Sequence, residues 1–188
     1  FTNASTFIRL GGSGGFGDGV NPGDLVIASG AVRGEGMTRA YIDAGYPAAA
    51  HYEVVLAMVQ AAETVKHPYH VGVTVSCDSD YVGGGRPGVG GYLQPRNMEH
   101  AAVYNRAGCL NGDRESSAII TLSALFGRRG GSVCSVSDNM CSGARFTEGI
   151  GHNYALDVVL EGCANLHRMD TQKGEKPNWY PELAEKES

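Results

Sequence analysis

Short runs of β-branched residues alternate with segments of helical periodicity along this chain, and that alternation limits its possible folds more than any other feature. Extended runs at residues 6–10, 24–32, 70–77 and 131–138 predict strands, because they are short, apolar and bounded by turn residues. Residues 52–65 place apolar side chains at i, i+3 and i+4, which predicts a helix. Strands that alternate with helices predict an α/β fold with a mostly parallel or mixed central sheet.

Further helices are predicted downstream. Residues 96–108 are expected to form a helix that ends at Gly108, and the run SSAIITLSALFG one that stops near Gly127. The polar tail from about Lys173 is expected to lie on the surface. The length fits one domain, so we expect a single domain over residues 1–188. An i, i+4 stripe begins the last helix, at Phe146, Ile150, Tyr154 and Val158.

Glycine is the compositional outlier, with 28 residues, about double the usual share of roughly 7%. Polar, glycine-rich segments predicted to be loops follow three predicted strands, after Leu10, Cys77 and Val136. Open α/β sheets bind ligands beyond the carboxyl ends of their strands. We therefore expect these three loops and the start of the helix near residue 115 to meet at one site.

Composition excludes several classes of function. A net charge of -5 argues against a nucleic-acid surface, and no apolar run approaches the roughly 20 residues that span a bilayer. The five cysteines are odd in number and lack a C-x-x-C pair, which indicates reduced thiols in a cytoplasmic protein rather than disulfides or zinc. The six histidines lack metal-ligand spacing and are interpreted as structural or solvated. No metal site is predicted.

The segment GSGGFG, residues 12–17, matches the G-x-G-x-x-G pattern of dinucleotide-binding loops. It follows a strand, but the next segment turns into another strand, so no helix N-terminus is offered to a pyrophosphate. We therefore reject the Rossmann interpretation. The loop can still bind a single phosphate through its backbone N–H groups, helped by Arg9. The alternative is that Arg9 is a surface strand residue in an ion pair.

The stretch NGDRESSAII, residues 111–120, places charged residues at the start of an apolar helix. Asn111 or Asp113 can cap that helix, and the helix dipole favours Glu115 in its first turn. The alternative is that Glu115 is an ionised carboxylate that binds the hydroxyl groups of a ligand. The pattern leaves both interpretations open.

Three more charged residues follow predicted strands. Asp78 comes directly after a buried strand, where a hydrogen bond that fixes the loop is the usual role. Arg86, between glycine and proline, suits the carbonyl or carboxylate oxygens of a ligand. Asp138 either caps a turn or donates a proton to a leaving group.

Five segments in order resemble the uridine phosphorylase branch of the nucleoside phosphorylase family. The resemblance implies an α/β fold whose mixed central sheet is partly barrel-like and flanked by helices. It implies cleavage of uridine by inorganic phosphate to uracil and ribose 1-phosphate, without a metal or organic cofactor. It also implies a homo-oligomer, a dimer or a hexamer of dimers. The segments are FIRLGGSGG (7–15), PGDLVIASGAVRGEG (22–36), GYPAAAHYEVVLAMVQAAE (45–63), HVGVTVSCDSDYVGGGR (70–86) and RAGCLNGDRESSAI (106–119).

The same resemblance assigns roles by position. Arg9 and Gly12 match the phosphate-binding turn, with Arg9 also catalytic, and Glu115 and Arg114 match ribose-binding positions. Asp138 resembles the acid of the related purine nucleoside phosphorylases, within the segment SVSDN. The positions that match the base-binding pocket are Ser13, Gly14, Asp80, Gly84 and Arg86.

Several of these positions depart from the family pattern. The family's threonine is Gly12 here, its base-stacking phenylalanine is Asp80, and its base-reading glutamine is Gly84. Its ribose-packing methionine is Arg114, and the preceding glutamate is Asp113. Two alternatives follow from these departures. One is a purine nucleoside phosphorylase or a nucleosidase, and the other is a catalytically silent paralogue that binds nucleosides.

The resemblance begins near Phe7 and does not include the family's N-terminal segment. That segment carries further glycine and arginine positions for phosphate, and a histidine lent to the neighbouring subunit. From this sequence we expect an incomplete phosphate pocket and an unfinished sheet.

Overall fold

Within residues 3–187, which a computed structural model describes, six strands form one mixed sheet. Their order is β3-β2-β4-β5-β1-β6, and a further pairing of β2 with β6 closes the long strands into a ring. The mixed, partly barrel-like sheet is therefore confirmed. The strands are β1 (Thr6–Gly15), β2 (Leu25–Gly34), β3 (Ala48–Ala49), β4 (Tyr69–Cys77), β5 (Cys109–Asp113) and β6 (Arg129–Asn139).

Parallel and antiparallel pairs alternate irregularly around this ring. β1 runs parallel to β6, and β4 runs parallel to both β2 and β5. β1 is antiparallel to β5, and β2 is antiparallel to β6 and to the short β3. The ring closes through short contacts, since β1 pairs with β5 only at Gly14 and Gly15.

Four α-helices surround the ring in the described residues. α1 and α4 pack on each other and on one side of the sheet, and α3 packs against β6 and β2. Fully burying an aliphatic side chain stabilises the fold by roughly 1.5–3 kcal/mol. The helices are α1 (Tyr52–Val65), α2 (His100–Arg106), α3 (Ser116–Leu125) and α4 (His152–Lys173). The largest core cluster includes Leu25, Ile27, Val54, Met58, Val133 and Val158.

A buried ionic cluster ties α1 and α4 to β6, and we call it the distal cluster. Arg129 Nη1 lies 2.8 Å from Asp170 Oδ1 and 3.1 Å from Glu53 Oε2. Lys173 Nζ donates to both carboxylate oxygens of Glu53 at 3.0 Å. The backbone N–H of Trp179 also donates to Glu53, at 3.0 Å, so this carboxylate is fully satisfied.

The predicted loop after Leu10 is wrong, because β1 continues through the glycines to Gly15. Gly11 pairs with Cys134 of β6, and Gly14 pairs with Gly112 of β5. Two flanking strands thus hold the glycines extended, and glycine in a strand marks a place where other groups approach closely. The rejection of the Rossmann interpretation is confirmed, since the next element is β2.

The last helix begins at His152 rather than near Phe146. Gly149 and Gly151 have φ values of 69° and 77°. These left-handed conformations cannot lie inside a right-handed helix, so the helix starts after them. A β-carbon on Gly151 would also lie 2.6 Å from the carbonyl oxygen of Gly23.

The region between Pro95 and Ser116 also differs from the prediction. Pro95–Asn97 forms a 3-10 turn, and α2 starts only at His100. Residues 109–113 form strand β5, where a helix start was expected, and its odd positions are buried polar or small side chains. Such a short polar strand has no apolar alternation, so only its pairing with β1 and β4 defines it.

No helix in the described part of the chain is long and apolar enough to cross a membrane. All five cysteines are free thiols, as the sequence predicts.

Candidate active site

One cleft of about 550 Å³ opens where β1, the loop after β4, the start of α3 and the end of β6 meet. Its volume lies in the range of small-molecule sites. The prediction that these segments meet is confirmed by the geometry, and their role as a binding site stays a prediction. Every predicted site residue lines the cleft: Arg9, Gly12, Ser13, Gly14, Asp80, Gly84, Arg86, Arg114, Glu115 and Asp138.

An arginine and two carboxylates form the first charged group in the cleft, which we call the pocket cluster. Arg9 Nε lies 3.1 Å from Asp113 Oδ2, and Arg9 Nη2 donates to Glu115 Oε2 at 2.8 Å. The Asp113 side chain is only 1% exposed, whereas that of Glu115 is 46% exposed. Glu115 is thus the member that a ligand can reach.

The two oxygens of Glu115 have different surroundings. Oε2 accepts hydrogen bonds from Arg9 and from the backbone N–H of Arg114. Among the residues that the structure describes, Oε1 has only the Nε of Arg114 near it, at 3.8 Å, which is beyond hydrogen-bond distance. Oε1 is therefore open to a donor from a ligand.

The start of α3 shows which residue caps the helix. Asp113 accepts the backbone N–H and the hydroxyl of Ser116, at 3.1 and 2.5 Å. Asn111 does not cap, because its Oδ1 accepts from Thr74 on β4. Glu115 occupies the N-cap position without a capping hydrogen bond, so its carboxylate remains directed to Arg9.

The pocket cluster shifts the pKa of Glu115 and that of Arg9 in favour of their charged forms. Burial raises the pKa of Glu115, but the hydrogen bond and charge of Arg9 outweigh it, so this pKa lies below its usual value. Burial alone lowers the pKa of Arg9, and the negative groups beside it, including Asp113, raise it overall. The cleft therefore presents an ionised carboxylate beside a permanent cation.

A second ion pair lies at the other end of the cleft. Arg86 Nη2 contacts both carboxylate oxygens of Asp138, at 2.8 and 2.7 Å. A β-carbon on Gly14 would lie 2.5 Å from Arg86 Nη2 and 3.0 Å from Asp138 Oδ1. Gly14 therefore lets the pair lie directly on β1. Asp138 is paired with an arginine in this structure, and that contact was not foreseen.

Two of the departures from the family pattern meet each other. Arg114 Nε lies 3.1 Å from Asp80 Oδ2, with both side chains about half exposed. Arg86 donates to the backbone oxygen of Asp80 at 3.3 Å, and Gly84 leaves room beside that guanidinium. Charged residues at positions 80 and 114 thus form one pair at the rim.

Other predictions for single residues have clear outcomes. Asp78 fixes its loop, since its Oδ1 accepts the backbone N–H of Gly36 at 3.1 Å. The Ser13 hydroxyl donates to the backbone oxygen of Ser135 at 2.9 Å, so only its backbone remains for a ligand. Arg9 is in an ion pair, as one of the two interpretations held, and it also lines the cleft.

Sequence reasoning missed several lining residues. His100 and His152 border the cleft, although all histidines were interpreted as structural or solvated. That interpretation holds for His70, which pairs with Asp24 at 2.9 Å, and for His67, which stacks on Tyr154. The chain offers no spacing signal for the two exceptions. Other lining residues that were missed are Phe16, Cys77, Ser137, Met140, Phe146 and Glu148.

No group of three or more histidine, cysteine or acidic side chains is placed to hold a metal ion among the residues that the structure describes.

The fold and the charged cleft agree with comparisons against known proteins. Residues 2–159 match the model of the Phosphorylase superfamily, and the chain belongs to that family. It is 38% identical to a uridine phosphorylase of Thermococcus kodakarensis over 180 residues. This alignment covers 95% of this chain and 64% of that protein. The resemblance to the nucleoside phosphorylases is thus confirmed.

Two further relatives are named for different activities. The uridine phosphorylase of Klebsiella aerogenes is 31% identical over 135 residues, 71% of this chain and 53% of that protein. The guanosine phosphorylase of Halorubrum lacusprofundi is 30% identical over 138 residues, 73% of this chain and 52% of that protein. The chain spans between about half and two thirds of the length of these three relatives.

Proposed function

We propose that the protein cleaves uridine with inorganic phosphate to give uracil and ribose 1-phosphate. The observation that carries this proposal is the convergence of every predicted phosphate, ribose and base residue in one cleft. The family and the uridine phosphorylases of Thermococcus kodakarensis and Klebsiella aerogenes support the same reaction. We further propose that inorganic phosphate is the co-substrate and that no metal or organic cofactor takes part.

The ribose is held by Glu115 in this proposal. Its free Oε1 accepts a hydrogen bond from a ribose hydroxyl, while Arg9 fixes Oε2 and keeps the carboxylate ionised. A carboxylate acceptor strengthens as the sugar ring becomes positively charged in the transition state. Arg114 lies at the same rim and packs beside the sugar.

Phosphate enters beside Gly12 of β1. There an oxygen of phosphate attacks C1′ of the ribose as the bond from C1′ to the base breaks, and the electron pair of that bond leaves with the base. Arg9 supplies positive charge next to the attacking anion, and its Nη2 donates to the backbone oxygen of Gly12 at 3.1 Å. Holding both reactants in line is the main source of rate enhancement here.

The base lies at the other end of the cleft, near Gly14 and Arg86. Negative charge grows on the uracil oxygens as the bond to ribose breaks, and the guanidinium of Arg86 stabilises it. The backbone of Ser13 and Gly14 forms the floor, and Asp80 and Gly84 shape the wall. The protein thus binds phosphate, ribose and base in order along β1.

We also propose a cytoplasmic homo-oligomer. Large apolar side chains are exposed in the described chain, among them Tyr81, Phe126 and Phe146, with exposed fractions of 64–68% for the two phenylalanines. Such side chains are commonly covered at subunit contacts.

A specific observation favours purine nucleosides as the second candidate substrate. Asp138 lies in the cleft beside Arg86, and one relative is a guanosine phosphorylase. A carboxyl group there can donate a proton to a leaving purine base, provided that the ion pair with Arg86 opens.

The test is base release by the full-length protein from uridine, thymidine, inosine, guanosine and adenosine, each with and without phosphate. We expect uracil release that requires phosphate. The variant Arg86→Ala should lower kcat/KM for uridine, while Arg96→Ala, an exposed arginine outside the cleft, serves as the matched control. Purine release that is lost in Asp138→Asn would transfer the assignment to the second candidate. The absence of turnover with every nucleoside, in a folded sample, would contradict both candidate functions.

A further inference from the structure

The side chain of His152, which has no role in the proposed reaction so far, lies against Gly12 of β1. A β-carbon on Gly12 would lie 3.1 Å from Nε2 of His152 and 3.7 Å from Oγ of Ser137. His152 is the first residue of α4, and Ser137 is near the end of β6. The lack of a side chain at position 12 therefore leaves space in which an imidazole and a hydroxyl converge on β1.

The imidazole has no structural task in the described chain. Within residues 3–187 its ring makes no hydrogen bond, and the residue is exposed although it borders the cleft. By contrast, the ring of His70 is bonded to Asp24, and that of His67 to the backbone oxygen of Gly23. A donor that lines a ligand cleft without a protein partner is available to a ligand.

Arg9 cannot hold an anion with its whole guanidinium. Its Nε faces Asp113 and Glu115, its Nη2 donates to Gly12 and Glu115, and its Nη1 contacts the sulfur of Cys134. A phosphate in the cleft therefore needs donors besides Arg9.

The start of α4 adds a favourable field at the same place. Gly151 is the N-cap and has no side chain, so no capping group competes for the first turn of this 22-residue helix. The positive end of the helix dipole lies at His152, next to the open cleft. The helix dipole favours an anion beside Gly12, although the dipole by itself does not define a binding site.

We propose that His152, together with Ser137, donates hydrogen bonds to the phosphate that attacks the nucleoside. This inference rests on the proposed phosphorolysis and names a phosphate-binding residue that the sequence did not indicate. In this proposal, the missing side chain of Gly12 leaves the space through which the His152 ring contacts the phosphate.

The first test is steady-state kinetics of the full-length protein with varied phosphate and varied uridine. His152→Ala should raise KM for phosphate about tenfold or more, as loss of a hydrogen bond to a charged group implies. KM for uridine should change less than about twofold. His152→Gln keeps a donor and should recover part of the loss. His167→Ala, at an exposed histidine on the same helix, is the matched control.

A double-mutant cycle tests the role of Gly12. Gly12→Ala places a methyl group against the imidazole and should also raise KM for phosphate. Adding Gly12→Ala to His152→Ala should cause no further loss, because the ring that it displaces is already gone. Additive effects of the two substitutions, or an unchanged KM for phosphate in folded His152→Ala, would overturn the proposal.

A binding measurement separates this inference from the proposed reaction. Inorganic phosphate should raise the melting temperature of the unmodified protein, and the rise should shrink in His152→Ala. If that pattern appears without turnover of any nucleoside, the phosphate site stands and the proposed reaction fails. If phosphate-dependent turnover is normal and His152→Ala binds phosphate normally, the reaction stands and this inference fails.

Discussion

The pocket cluster and the distal cluster are each built around an arginine of the paired strands β1 and β6, yet they differ in what their carboxylates leave free. Glu53 of the distal cluster is 1% exposed and accepts from Arg129, Lys173 and the backbone of Trp179. Glu115 of the pocket cluster is 46% exposed, and one of its oxygens accepts no hydrogen bond from the described part of the chain. The difference separates a carboxylate that holds helices together from one that can hold a ligand.

Both carboxylates have a lowered pKa, so the shift alone does not mark the functional one. In Glu53, burial raises the pKa, and hydrogen bonds from the Trp179 backbone and Lys173 lower it further than burial raises it. In Glu115, burial is outweighed by Arg9. Structural ion pairs and active sites perturb acidity alike. The decisive feature is the free oxygen that faces a cleft.

The largest expected effect is on stability, in the distal cluster. Glu53→Gln should lower the free energy of unfolding by about 3 kcal/mol, because within the described residues it leaves the half-exposed Asp170 as the only carboxylate that pairs with the buried Arg129 and Lys173. Urea unfolding measures this loss. At temperatures where the variant is folded, kcat/KM for uridine should stay within about twofold of the unmodified protein.

The next effect is on activity, in the pocket cluster. Glu115→Gln should lower kcat/KM for uridine about 100-fold, equivalent to about 2.7 kcal/mol, because an ionised acceptor for the ribose hydroxyl is lost. The free energy of unfolding should change by less than about 1 kcal/mol, since the pair with Arg9 is nearly half exposed on the glutamate side. Glu63→Gln, on the outer face of α1, is the control.

Acid should affect the two clusters unequally. The pKa of Glu53 and of Asp170 lies below the ordinary values of 4.5 and 3.8, the latter chiefly through the hydrogen bond from Arg129. The unfolded chain therefore binds protons more readily, so this stability is full above the ordinary values and is lost as pH falls through the folded ones.

Unfolding experiments between pH 7 and pH 3 should therefore show stability falling at the acid end. Glu53→Gln should reduce the loss of unfolding free energy at acid pH more than Glu115→Gln does, because the Glu53 carboxylate is better shielded from solvent. An equal effect of the two substitutions on the acid limb would remove the proposed distinction between the clusters.

The smallest effect is expected at the rim. Arg114 and Asp80 are both about half exposed, so Arg114→Met should change the free energy of unfolding by less than about 0.5 kcal/mol. The combined variant Asp80→Phe and Arg114→Met replaces a charged wall by an apolar one, so KM for uridine should fall. A rise in KM would indicate that the charged pair itself contacts the substrate.

Sequence patterns predicted the elements that carry strong apolar periodicity and the residues that lie in recognisable segments. Helix α1 has the predicted bounds, and Arg9, Arg86 and Glu115 all lie in the cleft as expected. The resemblance to the family assigned these residues to the site. Each of the five segments alone is weak evidence, but all five occur in the family's order along the chain.

The rest depended on contacts between residues distant in sequence. The glycines after Leu10 have turn composition, and only pairing with β5 and β6 keeps them extended. His152 reaches Gly12 across 140 positions, and Arg86 reaches Asp138 across 52. Neither helical periodicity nor the spacing of residues along the chain predicts such contacts, because the contacts arise from closure of the sheet.

The most direct test of the account is the ratio of kcat/KM for uridine between Glu53→Gln and Glu115→Gln, measured at saturating phosphate and at a temperature where both variants are folded. We predict a ratio near 100, with uracil release that requires phosphate in both proteins. A ratio near one would contradict the assignment of Glu115 to the ribose. Uracil release that does not need phosphate would contradict the proposed reaction.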